Sequence, residues 1–210
     1  MDSAAGSAKE ARDRNTQAIL PIRGKILNVL KADLHKAMGN EEIKSMITAF
    51  GLEIKENKIV LNEDKLRYGK IIMMADADSD GNHIRILFLT FIWKFCPELI
   101  TKGYIYAAVP PLYRIIQGKK SFYLKDDSAL EEFRKTTSSN YQVLRFKGLG
   151  EMSSEELAES TMEPGNRILK QITMEDALAA TTTFNSLMGE SAVLRKKFIE
   201  ENAFRANLDI

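Results

Sequence analysis

Along this chain the spacing of apolar residues changes from helical to extended and back, and each change predicts an element. Residues 40 to 50, Asn-Glu-Glu-Ile-Lys-Ser-Met-Ile-Thr-Ala-Phe, read as a short amphipathic helix capped by Asn40 and stopped by Gly51. Residues 52 to 69 are polar and predict a weakly ordered loop or an edge strand. The apolar run over 70 to 76 predicts a buried strand. A helix is expected from about 82 to 100, with Ile84, Leu87, Phe88, Phe91, Ile92 and Phe95 on one face. Residues 104 to 116 read as extended, bent at Pro110-Pro111, and Gly118-Lys119-Lys120 as a hairpin turn into Phe122-Tyr123-Leu124. A helix from 127 to about 134, a polar linker over 136 to 140 and a strand over 141 to 146 follow. From Ser153 the pattern is helical, opened by a Ser153-Ser154-Glu155-Glu156 cap, with two helices over 173 to 207 separated near Gly189. A further helix is expected near the start, through about Arg14.

Composition narrows the function classes. The 210 residues are 44% hydrophobic and 28% charged, enough to bury a core. Thirty basic and 29 acidic residues leave a net charge of +1, so overall charge announces no nucleic-acid partner. Its distribution is uneven. Lys9, Arg12, Arg14, Arg23, Lys25 and Lys31 crowd the first 31 residues against Asp2, Glu10 and Asp13, whereas the stretch from Glu151 to Glu163 holds five glutamates and no Lys or Arg. The lone Cys96 reads as a core thiol, excludes an internal disulfide framework and suits a reducing cytoplasm. The longest apolar stretch, 86 to 93, is too short to span a membrane, and no signal-peptide pattern opens the chain.

The strongest chemical signal lies where the 70 to 76 strand ends. Asp76, Asp78 and Asp80 alternate there, followed by Gly81 and then His83 and Arg85. Residues two apart on an extended backbone point to one side at roughly 6.5 to 7 Å, so a slight curl would bring the three carboxylates around one centre. Crowded anions call for a cation. Mg²⁺ fits, because it takes hard oxygen ligands, keeps several waters and is often completed by phosphate oxygens. A calcium loop of the D-x-D-x-D-G type is disfavoured: its twelfth position would be Leu87 where a bidentate Glu is needed, and a strand precedes it where a helix should. A solvated acidic turn without a ligand remains open on these residues alone. Two other places put cations beside glycine, where backbone can approach a phosphate closely: Arg23-Gly24-Lys25 and Lys147-Gly148-Leu149-Gly150.

Taken together, these segments resemble the C-terminal half of the B subunit of bacterial DNA gyrase, and nearly as closely that of topoisomerase IV. The resemblance runs over essentially the whole chain. It is carried by Asp-Ser-Ala at 2 to 4, Gln-Ala-Ile-Leu-Pro-Ile-Arg-Gly-Lys-Ile-Leu-Asn-Val at 17 to 29, Asp-Ala-Asp-Ser-Asp-Gly-Asn-His-Ile-Arg at 76 to 85, Pro-Pro-Leu-Tyr at 110 to 113, Lys-Gly-Leu-Gly-Glu-Met at 147 to 152 and Leu-Met-Gly at 187 to 189. The closing residues 200 to 203 and 207 to 210 look more like gyrase.

The resemblance implies an α/β Toprim fold, a parallel sheet flanked by helices, followed by a mostly helical tail. It divides the chain into a Toprim metal and DNA domain over 1 to 115, a strand and hairpin segment over 116 to 152, and a tail over 153 to 210. It implies a type IIA topoisomerase in which a tyrosine of the A subunit attacks double-stranded DNA within an A2B2 tetramer. Asp76, Asp78 and Asp80 would be the catalytic, metal-holding acids, with Mg²⁺ bound and Mn²⁺ or Ca²⁺ able to substitute. Arg23, Lys25, His83, Arg85 and Lys147 would contact DNA, and Asp2 and Arg23 would neighbour the fluoroquinolone site. ATP would be used by a domain upstream of this chain.

Some positions depart from the family pattern. The motif there begins Glu-Gly-Asp-Ser-Ala, but the sequence here opens Met1-Asp2-Ser3, so the Toprim glutamate and the first strand have no counterpart. The fragment is therefore expected to be inactive alone. Ala5 replaces a usual glycine and Phe146 a usual Tyr. Two other readings stand beside the main one: a folded DNA- and subunit-docking module that does not cleave, and a different Toprim enzyme such as a nuclease or primase.

Overall fold

The computed structural model describes residues 3–76, 78–174, 186–187 and 191–205. Its helices are α1 (Ser3–Ala11), α2 (Leu34–Met38), α3 (Glu41–Phe50), α4 (Ser79–Phe95), α5 (Glu98–Thr101), α6 (Asp127–Thr136), α7 (Ser154–Leu157) and α8 (Ala192–Asn202). Its strands are β1 (Glu53–Lys55), β2 (Lys58–Val60), β3 (Ile71–Met73), β4 (Ile105–Ala108), β5 (Tyr113–Gln117), β6 (Lys120–Leu124), β7 (Gln142–Arg145) and β8 (Leu169–Gln171). The architecture is mixed α/β, and the chain divides into two compact units. One comprises residues 1–23, 70–85 and 106–171, the other 24–69, 86–105 and 172–210.

The first unit holds two three-stranded sheets. In one the order is β3-β4-β8. Helices α4 and α5 connect β3 to β4, the kind of crossover a parallel pair needs. β8 closes the other side antiparallel, with Tyr106 opposite Gln171 and Ala108 opposite Leu169. The second sheet, β6-β5-β7, is antiparallel. Its β5–β6 hairpin turns at Gly118, whose φ of 61° only glycine adopts without strain. Tyr113, Ile115 and Leu130 form a small core that joins this sheet to α6. A larger cluster of Ala8, Leu149, Met152, Leu157 and Met162 packs α1 against the 149–162 segment, with Met74 and Phe146 beside it. Arg114 pairs with Glu156, fixing β5 to the start of that segment.

In the second unit α3 begins and ends at the predicted residues. The Asn40 side chain accepts from the Ile43 N–H at 3.1 Å, and Gly51 closes the helix at φ 76°. Leu87, Phe88, Phe91 and Ile92 of α4 are buried, and Phe88 meets Phe50 edge to face at 6.2 Å. Lys94 donates to the Val29 and Ala32 carbonyls at 2.8 and 2.9 Å.

Three elements differ from expectation. Residues 52 to 69 build the β1–β2 hairpin, turned through Glu56 and Asn57 at positive φ, with the short helical turn Glu63–Lys65 after it. The helix expected over 82 to 100 starts at Ser79 and stops at Phe95, because Asp78 can cap it and Pro97 cannot donate a backbone hydrogen bond. The 153 to 210 tail, expected to be mostly helical, also contains a strand. Its first helix, α7, continues as a π-wound turn over Ala158–Met162, after which the chain extends and β8 joins the sheet. A three-residue strand is too short to show periodicity. Of the two helices expected over 173 to 207, α8 is described, and most of 175 to 190 lies outside the described residues.

Candidate functional site

Strand β3 delivers the acidic segment. Ile71 and Met73 are buried on one face, and the chain leaves the strand before reaching Asp76. Asp76 is half-buried, whereas Asp78 and Asp80 are exposed. The Leu149 N–H donates to Asp76 Oδ1 at 2.8 Å, a bond spanning 73 positions of sequence. The Gly81 N–H donates to Asp78 Oδ1 at 2.7 Å, and the Asn82 N–H to the Asp78 carbonyl at 3.0 Å. Asp78 thus occupies the capping position of α4, satisfying donors that a helix start leaves open. Asp80 lies in the first turn, where a negative charge suits the helix dipole. A Cβ at Gly81 would lie 2.2 Å from the Asp76 carbonyl oxygen, so only glycine lets α4 begin this close to the strand end.

The cations expected at the site differ in how they are held. His83 is exposed near the start of α4. Arg85 turns back, its guanidinium donating to the Ala75 carbonyl at 2.6 Å, with Nε buried and lacking an acceptor among the described residues. It ties the strand-to-helix link as well as carrying charge. Lys147 is exposed, and its N–H donates to Glu151 Oε2 at 2.9 Å. Arg23 and Lys25 are exposed on either side of Gly24, which takes a φ of 79°, and belong to different units. Asp2 lies outside the described residues.

Asp76, Asp78 and Asp80 supply hard carboxylate oxygens of the kind Mg²⁺ prefers. Among the described residues no three His, Cys, Asp or Glu side chains gather closely enough to hold an ion between them. The donor set therefore fits an ion bound through one or two carboxylates and completed by water and phosphate, and does not form an all-protein cage. What sequence reasoning missed is the support. Gly148 and the Leu149 N–H sit directly against Asp76. The signal for them is the glycine beside Lys147, whose open space serves a carboxylate of this chain where the sequence suggests room for a phosphate.

Residues 1–109 match the family model described as the Toprim domain, and residues 138–200 match that described as DNA gyrase B subunit, carboxyl terminus. The chain is similar to the DNA gyrase B subunit of Thermus thermophilus, 50% identical over 211 residues that cover 100% of this chain and 33% of the relative. It is 49% identical over 210 residues to those of Staphylococcus epidermidis and Staphylococcus aureus, covering 99% of this chain and 32% of each. The chain spans about a third of the length of these relatives.

Proposed function

The chain belongs to the Toprim family, and from that premise we propose that it is the part of a type IIA DNA topoisomerase, the gyrase B subunit, that supports double-strand cleavage and religation by a tyrosine of the A subunit. One observation carries this reading: the carboxylate of Asp76, shortly after β3, accepts from the Leu149 N–H of the Lys147-Gly148-Leu149 turn, which brings the acidic segment and the Lys147-Gly148-Leu149-Gly150 motif together. Similarity to gyrase B proteins over the whole chain supports it.

In this proposal Asp76 and Asp78 offer oxygens to Mg²⁺, with Asp80 adding negative charge beside them. Bound Mg²⁺ would supply Lewis-acid stabilisation of the charge that develops on a departing phosphate oxygen. Lys147, His83, Arg23 and Lys25 bind backbone phosphates, which sets register and affinity without reading sequence. Arg85 orients the Ala75 to Asp76 link through its carbonyl contact. The partners are double-stranded DNA and the A subunit in an A2B2 tetramer, the setting is the cytoplasm, and ATP is used upstream. Asp2 and Arg23 border the fluoroquinolone site.

The test mixes the chain with a gyrase A subunit, supercoiled plasmid and Mg²⁺, denatures, and looks for linear protein-linked DNA. A version extended by Glu-Gly before Asp2 is run alongside, with Asp76→Ala in each. Cleavage lost in Asp76→Ala is expected; cleavage that survives the substitution refutes the role of the acid. That Asp76 Oδ1 and Asp78 Oδ1 each already accept a backbone N–H favours a second reading, a docking module that binds DNA and A subunit without supporting cleavage. DNA retained in a gel shift, with no cleavage by either version, would select it.

A further inference from the structure

We propose that Gly148 and Leu149 are positioning residues for Asp76, gripping its carboxylate so that its outer oxygen faces the ion; this rests on the reading of Asp76 as a metal ligand. The Leu149 N–H fixes Oδ1 at 2.8 Å. A Cβ built on Gly148 would stand 3.0 Å from both Cγ and Oδ1 of Asp76 and 3.2 Å from Oδ2. Gly148 has φ −172° and ψ 171°, extended backbone that alanine adopts freely. Its missing side chain therefore serves the neighbouring carboxylate and not the local backbone.

The grip is anchored from behind. Leu149 is 6% exposed and packs with Ala8, Met152, Leu157 and Met162, which aims its N–H and holds the turn in place. On the other side Gly81 lets the first turn of α4 press on the Asp76 main chain. The Asp76 backbone is thereby set by one segment and its carboxylate by another. Ligands oriented in this way lose affinity when the group that holds them is displaced, even though that group never touches the ion.

The substitution that tests this is Gly148→Ala, which asks the Asp76 carboxylate to move by a few tenths of an ångström while leaving the backbone allowed. Mn²⁺ binding to the 210-residue chain is measured by electron paramagnetic resonance for the unaltered chain, Gly148→Ala, Asp76→Asn and Gly165→Ala. The last places its methyl in open space and serves as control. Asp76→Asn is expected to abolish the tight site, and Gly148→Ala to weaken it by roughly tenfold or more, with the melting temperature little changed and Gly165→Ala like the unaltered chain. In parallel, hydrogen exchange at the Leu149 amide is expected to quicken in Asp76→Ala, a readout that needs neither ion nor a folded Gly148→Ala. Mn²⁺ affinity untouched by Gly148→Ala but lost in Asp76→Asn would overturn the positioning role and spare the metal reading. Affinity untouched by Asp76→Asn, or no saturable Mn²⁺ site in the unaltered chain, would overturn the metal reading and this inference with it. Unchanged Leu149 exchange in Asp76→Ala would overturn the grip itself.

Discussion

Asp78 shows how one side chain can answer to two demands. Its place in the acidic motif marks it as a metal ligand, and its Oδ1 also accepts the Gly81 N–H at 2.7 Å to cap α4. Asp78→Ala is therefore expected to lower stability by about 0.5–2 kcal/mol in urea unfolding, the usual loss on removing a cap. Asp78→Asn keeps an acceptor oxygen while removing the charge, so it is expected to restore most of that stability without restoring metal-dependent cleavage. Cys96 is simpler. It is 2% exposed, and burial pushes its thiol up to about 11. At neutral pH it is expected to stay inert to a thiol reagent until urea unfolds the chain, and rapid native labelling would contradict its burial.

At the scale of elements, legibility depends on how far away the deciding residues lie. Helix α3 is readable to the residue because Asn40 and Gly51, which start and stop it, are its own neighbours. Helix α4 starts three residues ahead of the expected Asn82 because Asp78 to Gly81, which look like ligand chemistry alone, also open the helix. β8 escapes the sequence because its partner, β4, lies more than sixty residues earlier and nothing within Leu169 to Gln171 announces it. The β1–β2 hairpin depends on charges that make the stretch look like a loop. Glu53 pairs with Lys55 and Lys65, and the Lys55 contact first, then the Lys65 contact, draws its carboxyl down to about 2 from the usual 4.5. A lowered folded-state value means that the pairing contributes above about pH 4.5 and is lost as pH falls through about 2. Amide exchange in the hairpin is expected to rise over that window, and Glu53→Gln to flatten the rise. Because both lysine partners are exposed, though Glu53 itself is half-buried, the pairing should also weaken with salt.

For the whole molecule, near-neutral net charge hides a local excess. Lys9, Arg12 and Arg14, against the single acid Glu10, line a cleft of about 390 Å³ at the end of α1, on the basic stretch picked out along the first 31 residues. If Arg23 contacts a phosphate as proposed, Arg23→Ala weakens DNA binding about equally across sequences and reduces the salt slope by roughly 1. A slope identical to that of the unaltered chain, measured by fluorescence anisotropy over a range of KCl, would remove Arg23 from the interface. The acidic motif is visible in the sequence because its members are near neighbours. The bond from Leu149 to Asp76 is not, since pairing across 73 residues is decided by packing of the Ala8, Met152, Leu157 and Met162 cluster and leaves no local spacing to read. No helix among the described residues is long and apolar enough to cross a membrane.

The turn over Ala158–Met162 also bears on how this protein can change by descent. Its π winding, closed by the Glu163 N–H on the Ala158 carbonyl at 2.9 Å, accommodates one residue more than α-helical spacing would. Deleting a single residue there would let the segment rewind as α-helix with one residue fewer in the turn, so the chain beyond would leave in nearly the same direction. The contact between the Gln17 side chain and the Met162 carbonyl, 2.8 Å, and the pairing of Leu169 with Ala108 could then both survive the loss. A lineage can therefore shorten the chain by one residue at this turn more readily than within a regular helix.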